Sequence, residues 1–150
     1  MVPNRWLIVG GSLSALAALL HVAIILGGPD WYRFFGAGEG MARGAERGSL
    51  YPVLLTLGIA LVLAVCSAYA LAGAGLVRRL PLMRAALAVI ACVYLLRGLA
   101  LFPILILRPD LVDGFTVWSS LIVLAYGVTH AVGTWQAWAA LSKQPRLAAS

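Results

Sequence analysis

Four long apolar runs constrain this chain more than any other feature. They cover residues 6–27, about 50–76, about 83–107 and about 116–141. The first, second and fourth carry no charged residue, and the third carries only Arg97 within its interior. Each exceeds the ~20 residues a helix needs to cross ~30 Å of hydrocarbon. In that solvent every backbone N–H and C=O must be bonded within the segment, so helices are expected. The strict two-residue alternation of a membrane barrel is absent. The fold class is therefore all-α, a polytopic transmembrane four-helix bundle forming one membrane domain over 150 residues.

Composition agrees. The chain is 63% hydrophobic and 11% charged, whereas a soluble domain is about half apolar and a quarter charged. That argues against a water-soluble monomer, a disordered chain, a nucleic-acid-binding domain and a secreted disulfide scaffold. Ten Arg against one Lys, with abundant Ala, Gly, Leu and Val, suggest a GC-rich bacterial gene. The first run follows Arg5 and contains Ala15-Leu16-Ala17, a candidate cleavage site. It is longer than the ~7–15 apolar residues of a signal peptide, so it reads as an uncleaved helix.

The net charge of +6 resolves into an orientation signal once its charges are placed. With four spans, Arg5, Arg78, Arg79, Arg84, Lys143 and Arg146 fall on one side. Arg33, Arg43, Arg47 and Arg108 fall on the other, together with all five acids, Asp30, Glu39, Glu46, Asp110 and Asp113. The positive-inside rule then puts both termini in the cytoplasm of a bacterial inner membrane. Nearly balanced flanks, which dual topology would need, are not found. Pro29-Asp30 and Pro109-Asp110 break the first and second helix pairs alike, hinting at two hairpins of one orientation.

The first outer loop, residues 28–49, is the longest. Trp31, Tyr32, Phe34 and Phe35 are expected as aromatic anchors at the water–lipid boundary. Residues 36–48 are expected to form a short interfacial helix. There Glu39 and Arg43 attract at i, i+4, and Met41, Ala42 and Ala45 give an apolar side. It reads either as an anchored surface helix or as a lid over a site.

An ionisable residue inside the membrane is costly and therefore a functional candidate. Arg97 is the strongest. It can snorkel outward, pair with an outer acid such as Glu39 or Asp30, or hold an anionic ligand. At 1.5 Å per residue, Arg97, His21 and Tyr126 lie ~21–22 Å above the cytoplasmic helix ends, with Tyr94 and His130 at ~15–17 Å. These five form one polar band. Wheel positions put Gly10, Ser14, Ala18 and His21 on one face of the first span. Thr56, Ala60, Ser67, Ala70 and Ala74 share a face of the second, and Tyr94, Arg97 and Gly98 are neighbours on the third. The fourth contributes Ser119, Tyr126, His130, Gly133 and Thr134. Such small and polar stripes pack membrane helices together. The band is then either a binding site or only the hydrogen-bonded core of the bundle. Pro103 should kink the third span, because it cannot bond the Leu99 carbonyl.

Several chemistries find little support. Axial ligation of haem b by His21 and His130 suffers from a ~7 Å difference in depth. There is no Cys/His/Asp/Glu cluster for a metal, no membrane carboxylate for proton-driven transport and no C-x-x-C pair. Cys66 and Cys92 read as inert packing residues. No cofactor is expected.

The stretches Trp31-Tyr32-Arg33-Phe34-Phe35-Gly36-Ala37-Gly38-Glu39 and Tyr69-Ala70-Leu71-Ala72-Gly73-Ala74-Gly75, followed by Arg79-Leu80-Pro81, resemble those of small bacterial inner-membrane proteins of unassigned function. The resemblance covers most of the chain and implies a class without an activity. The leading functional expectation is a binding or carrier module holding a small anionic or amphiphilic ligand between its helices. Arg97 would be the charge anchor, with His21, Tyr126, Tyr94 and His130 as hydrogen-bonding partners, and Glu39 or Asp30 as resting counter-ion. The alternative is an accessory subunit that contacts a membrane partner or a second copy. An enzyme using a His as general base on a lipid-like substrate ranks third. The lipid bilayer is an expected partner and nucleic acid is not.

Overall fold

The computed structural model describes residues 3–142, which are mostly helical and include no strand. The elements are α1 (Arg5–Gly27), α2 (Pro29–Phe34), α3 (Glu39–Glu46), α4 (Leu50–Gly73), α5 (Met83–Leu99), α6 (Leu101–Leu107), a 3-10 turn (Pro109–Leu111) and α7 (Gly114–Leu141). Four spans are long and apolar enough to cross a membrane: α1, α4, α5 with α6, and α7. Lys143 and Arg146, counted in the orientation argument, lie outside the described residues.

Polar residues mark where spans begin. The Asn4, Ser49 and Asp113 side chains accept from the backbone N–H of Leu7, Tyr51 and Thr116 respectively. Each satisfies one donor that the first helical turn leaves free. Capping by Asp113 starts α7 at Gly114, two residues before the apolar run suggests. The second span ends earlier than expected, at Gly73 instead of near Leu76. Gly75 adopts φ 84°, which lets Leu76 N–H reach the Leu71 carbonyl (3.0 Å) and Gly75 N–H the Ala72 carbonyl (3.1 Å). This glycine-dependent motif closes the helix although the residues beyond it stay apolar. The third span is interrupted at Ala100, between α5 and α6. Pro103 is the third residue of α6, where its missing N–H costs least, and the Leu99 carbonyl ends α5 without it.

The spans form two antiparallel hairpins. α1 packs along α4, and α5 packs along α7, with the α1–α7 crossing joining the pairs and smaller contacts between α4 and α5. The α5–α7 pairing and the α1–α7 crossing rely on absent side chains. A Cβ at Gly98 would sit 2.7 Å from the Leu124 backbone, and one at Gly127 would sit 2.8 Å from Leu95 N. Across α1 and α7, Gly133 admits Leu7, while Gly10 admits the His130 ring. Small residues thus let backbones approach where hydrocarbon supplies no hydrophobic drive. The stripes expected from the wheel face inward for α1 (Gly10, Ser14, Ala18) and α4 (Thr56, Ala60, Ser67, Ala70), and Ala74 just after α4 is also buried. Leu16, Leu19, Leu61, Val62, Val89 and Ile122 are among the large side chains left exposed for lipid.

At one end, near Arg5, Arg78, Arg79 and Arg84, an apolar cluster of Leu7, Ala70, Ala72, Met83, Leu87 and Ala137 closes the bundle. Asn4 Nδ2 donates to the Gly133 carbonyl (3.1 Å), Arg79 donates to the Ala140 carbonyl (2.8 Å), and the Arg84 guanidinium lies 4.1 Å from the Trp138 ring centre. We call this the basic end.

The opposite end is capped. Helix α3 lies within residues 36–48, as the spacing suggests, but residues 29–34 are also helical, where aromatic anchors in a loop are expected. Pro29 at the first position and Asp30 in the first turn explain why α2 forms. Tyr32 corrects the anchor reading: it is 1% exposed and packs with Ile24 and Ala42 under the cap. Trp31 and Phe34 remain exposed. Arg33 fastens α2 to α3, with Nε 3.0 Å from Glu39, Nη2 2.6 Å from Glu46 and Nη1 3.4 Å from Asp30. The expected Glu39–Arg43 pair also forms, at 3.0 Å. Hydrogen bonds first from Arg33 and then from Arg43 push the Glu39 carboxyl down to about 2. Gly36 leaves no room for a side chain because the Phe115 ring of α7 lies against it, which ties the cap to the second hairpin.

Candidate functional site

The five polar residues expected in one band divide into three environments. Tyr94, Tyr126 and His130 do converge. The Tyr94 ring centre is 5.7 Å from that of Tyr126, edge to face, and 5.1 Å from that of His130. The Tyr94 hydroxyl shares a 3.0 Å hydrogen bond with Ser14 Oγ of α1. The Cys66 thiol of α4 lies beside the same phenol. All four spans therefore contribute a side chain to this centre.

His130 is its most enclosed member, with no exposed surface. Its Nδ1 is 2.8 Å from the Tyr126 carbonyl, which also accepts from Thr129 Oγ1 at 2.8 Å. A carbonyl only accepts, so Nδ1 carries the hydrogen. The ring edge bearing Nδ1 and Cε1 lies where a Cβ on Gly10 would otherwise be, 2.8 Å from both atoms. The glycine on α1 and the histidine on α7 thus define each other's position.

His21 stands apart. Its Nδ1 donates to the Ala17 carbonyl of its own helix at 2.7 Å, and the ring is half-buried. It lies eleven residues beyond Gly10 along α1, roughly 16 Å at 1.5 Å per residue. Because His130 sits against Gly10, the two imidazoles are too far apart to be axial ligands of one iron.

Arg97 departs furthest from the expected arrangement. It is exposed on the side of the bundle, away from the Tyr94 centre, and its Nη1 donates to Ser120 Oγ at 3.1 Å. Ser120 is almost fully buried, so one end of this hydrogen bond is fixed by packing. The Arg97 Cα lies roughly 15 Å before the end of α6, whereas Ser120 lies roughly 9 Å into α7. The guanidinium therefore climbs toward the capped end, in the manner of a snorkelling side chain.

Glu39 and Asp30 are not its counter-ions. Both carboxylates pair with Arg33, and Glu39 also with Arg43. The reason is placement: α2 and α3 lie on α1 and α4, while Arg97 is on α5. The other acids of the capped end are engaged too. Asp110 pairs with Arg108 at 2.8 Å, which holds its carboxyl below the usual range. Asp113 accepts from the Thr116 hydroxyl and amide, with the same consequence.

Two features escape the sequence reading. Ser120, not Ser119, is the buried serine that meets Arg97. Gly127 and Thr129 are also buried in α7. The seven-residue spacing of Ser120, Gly127 and Thr134 is a signal that could have found this face. Elsewhere, a cavity of about 450 Å³ opens between α1 and α4, with Ala15, Ala18, Val22, Ala60, Ala64 and Ser67 on its wall and none of the five band residues. The two cysteines are free, Cys66 buried and Cys92 exposed. Among the described residues no group of three or more His, Cys, Asp or Glu side chains is placed to hold a metal ion.

Four apolar spans paired in two hairpins define an all-helical, multi-pass membrane protein. No protein-family model, curated protein or solved structure matches the chain.

Proposed function

We propose that this protein is an inner-membrane binding module whose Arg97–Ser120 pair takes the anionic head group of an amphiphile arriving laterally from the bilayer. One observation carries the reading. Arg97, a cation in the interior of an apolar span, is exposed and bonded to a neutral hydroxyl, while Asp30, Glu39, Glu46 and Asp110 pair with other arginines and Asp113 bonds Thr116. A cation at such depth costs ~2.5–3.5 kcal/mol on insertion scales unless something compensates it. A phosphate or carboxylate head group supplies the missing charge, and the guanidinium can bond it in two places. The chain of the amphiphile stays in lipid, beside the exposed Phe102 and Trp118. Lateral entry replaces the expected pocket between helices, because the Tyr94 centre is closed on itself.

The charge pattern supports an orientation with the basic end in the cytoplasm. The described cations there are Arg5, Arg78, Arg79 and Arg84, while all five Asp and Glu residues belong to the capped end. Arg97 then reaches toward the outer leaflet. Helices α2 and α3 lie at the outer boundary, with Trp31 and Phe34 toward lipid.

A second reading, an accessory subunit without a small-molecule site, is favoured by the Tyr94–Ser14 bond and the enclosed His130, which act as internal glue. The two are separated by thermal unfolding in detergent with added phosphatidylglycerol or phosphatidylcholine. At roughly 100 times its Kd, a ligand adds about 2.7 kcal/mol, a shift of several degrees for a chain of this size. Binding at Arg97 predicts that shift for phosphatidylglycerol in the wild type and its loss in Arg97→Leu. Equal shifts in both proteins favour the accessory reading.

A further inference from the structure

At the basic end the chain turns from α4 into α5. Arg78 and Arg79 lie in that turn, Arg84 is the second residue of α5, and Arg5 opens α1. A cation in the first turn of a helix opposes the helix dipole. Neither an acid in that turn nor a side-chain cap offsets Arg84. Its guanidinium lies over the Trp138 ring, 4.1 Å from the centre. Its Nε is buried and unpaired, and among the described residues the group makes no hydrogen bond. An arginine has five N–H donors to satisfy, so a cation is held in place here with its donors unused.

The neighbouring surface suits a membrane boundary. Leu76, Val77 and Leu82 of the turn are exposed, as are Trp135 and Trp138 in the last two turns of α7. Tryptophans at the end of a span mark the level of the lipid head groups. Arg84, stacked on one of them, is therefore held at the depth of lipid phosphates. A guanidinium stacked on a ring can still bond an oxyanion in two places through its terminal nitrogens. Arg79 is fastened to the same helix end by its 2.8 Å hydrogen bond to the Ala140 carbonyl, two residues beyond Trp138.

We propose that Arg84, seated on Trp138, anchors a lipid-binding site at the basic end, and that its occupant is a head group with two phosphates, of the diphosphatidylglycerol class. Charge selects that occupant. Arg5, Arg78 and Arg79 share this end with Arg84, while every Asp and Glu belongs to the other. A head group with two negative charges offsets more of this surplus than one with a single charge, and basic surfaces beside membrane helices hold such lipids. The exposed apolar residues of the turn offer its chains a surface. Arg97 reaches toward the opposite end of the bundle, and neither proposal depends on the other.

Native mass spectrometry of the full chain tests the site, with the protein released from phosphatidylcholine bilayers that contain diphosphatidylglycerol. The wild type is expected to retain one diphosphatidylglycerol. Arg84→Gln should cut that adduct about tenfold or more, as for a lost hydrogen bond to a charged group. Arg78→Gln, which removes the same charge from an exposed position, should cut it about fivefold at most. Trp138→Leu should behave like Arg84→Gln, and Trp138→Phe should keep most of the adduct. Arg97→Leu should keep it in full, whereas its loss there would place the lipid at Arg97 and overturn the proposal. Equal losses in Arg84→Gln and Arg78→Gln would mean general attraction without a site, and overturn it too. So would an adduct that inorganic phosphate displaces, or an Arg97→Leu protein that retains phosphatidylglycerol as strongly as diphosphatidylglycerol.

Discussion

Tyr94 and Arg97 are three residues apart on α5, yet they live in different surroundings. Tyr94 is buried and meets Ser14, Tyr126 and His130, with all four spans represented around it. Arg97 is exposed on the side of the bundle and meets Ser120. The difference teaches how membrane depth and helix azimuth divide the work. Turned inward, the Tyr94 hydroxyl and Ser14 satisfy each other and join α5 to α1. A polar group turned outward has to find its partner at the bilayer surface or in the bilayer itself.

The comparison can be broken from the inner side first, where effects on stability are largest. Gly98→Ala places a methyl group 2.7 Å from the Leu124 backbone. Overpacking of this kind costs about 1–3 kcal/mol, which equilibrium unfolding in mixed micelles would register. Tyr94→Phe comes next. It removes the hydroxyl from Ser14, and interhelical hydrogen bonds in membranes contribute about 0.6–2 kcal/mol. The same unfolding measurement checks it, and a Ser14→Ala, Tyr94→Phe double variant should lose little more than either single one.

The cap responds to acid more locally. The Glu39 carboxyl titrates at about 2 in the folded protein, below its ordinary 4.5. Its contribution is therefore fully present above pH 4.5 and is lost as pH falls through about 2. The NMR line of the Arg33 Nε–H, bonded to Glu39 at 3.0 Å, should follow that loss while the Tyr94 and His130 signals hold their places. Simultaneous change at both locations would mean that cap and core are one cooperative unit. Arg97→Leu should have the smallest effect of all on stability without lipid, since it removes an exposed cation and leaves Ser120 with its own packing. A large loss there would assign Arg97 to the glue.

The spans and inward stripes were legible because charge exclusion and helical periodicity act locally. Ser14, Ala18, Ala60 and Ala70 lie buried where a wheel puts them. The position of Arg97 was not legible. Depth follows from counting residues, but whether a position beside Tyr94 faces core or lipid depends on where α7 and α4 settle against α5. Helix α2 was missed for a different reason. Pro29-Asp30 opens turns and helices alike, and the aromatic run that follows reads as an anchor until Tyr32 is seen packed under Ala42. Ser119 and Ser120 are 100° apart on a wheel, and only the partner helix decides which of them is buried.

The most direct test of the central claim is native mass spectrometry of the wild type and Arg97→Leu, both released from bilayers of mixed phosphatidylglycerol and phosphatidylcholine. The account predicts a retained anionic lipid on the wild type, lost in the variant, with no such difference for phosphatidylcholine. Identical lipid adducts on the two proteins would contradict it.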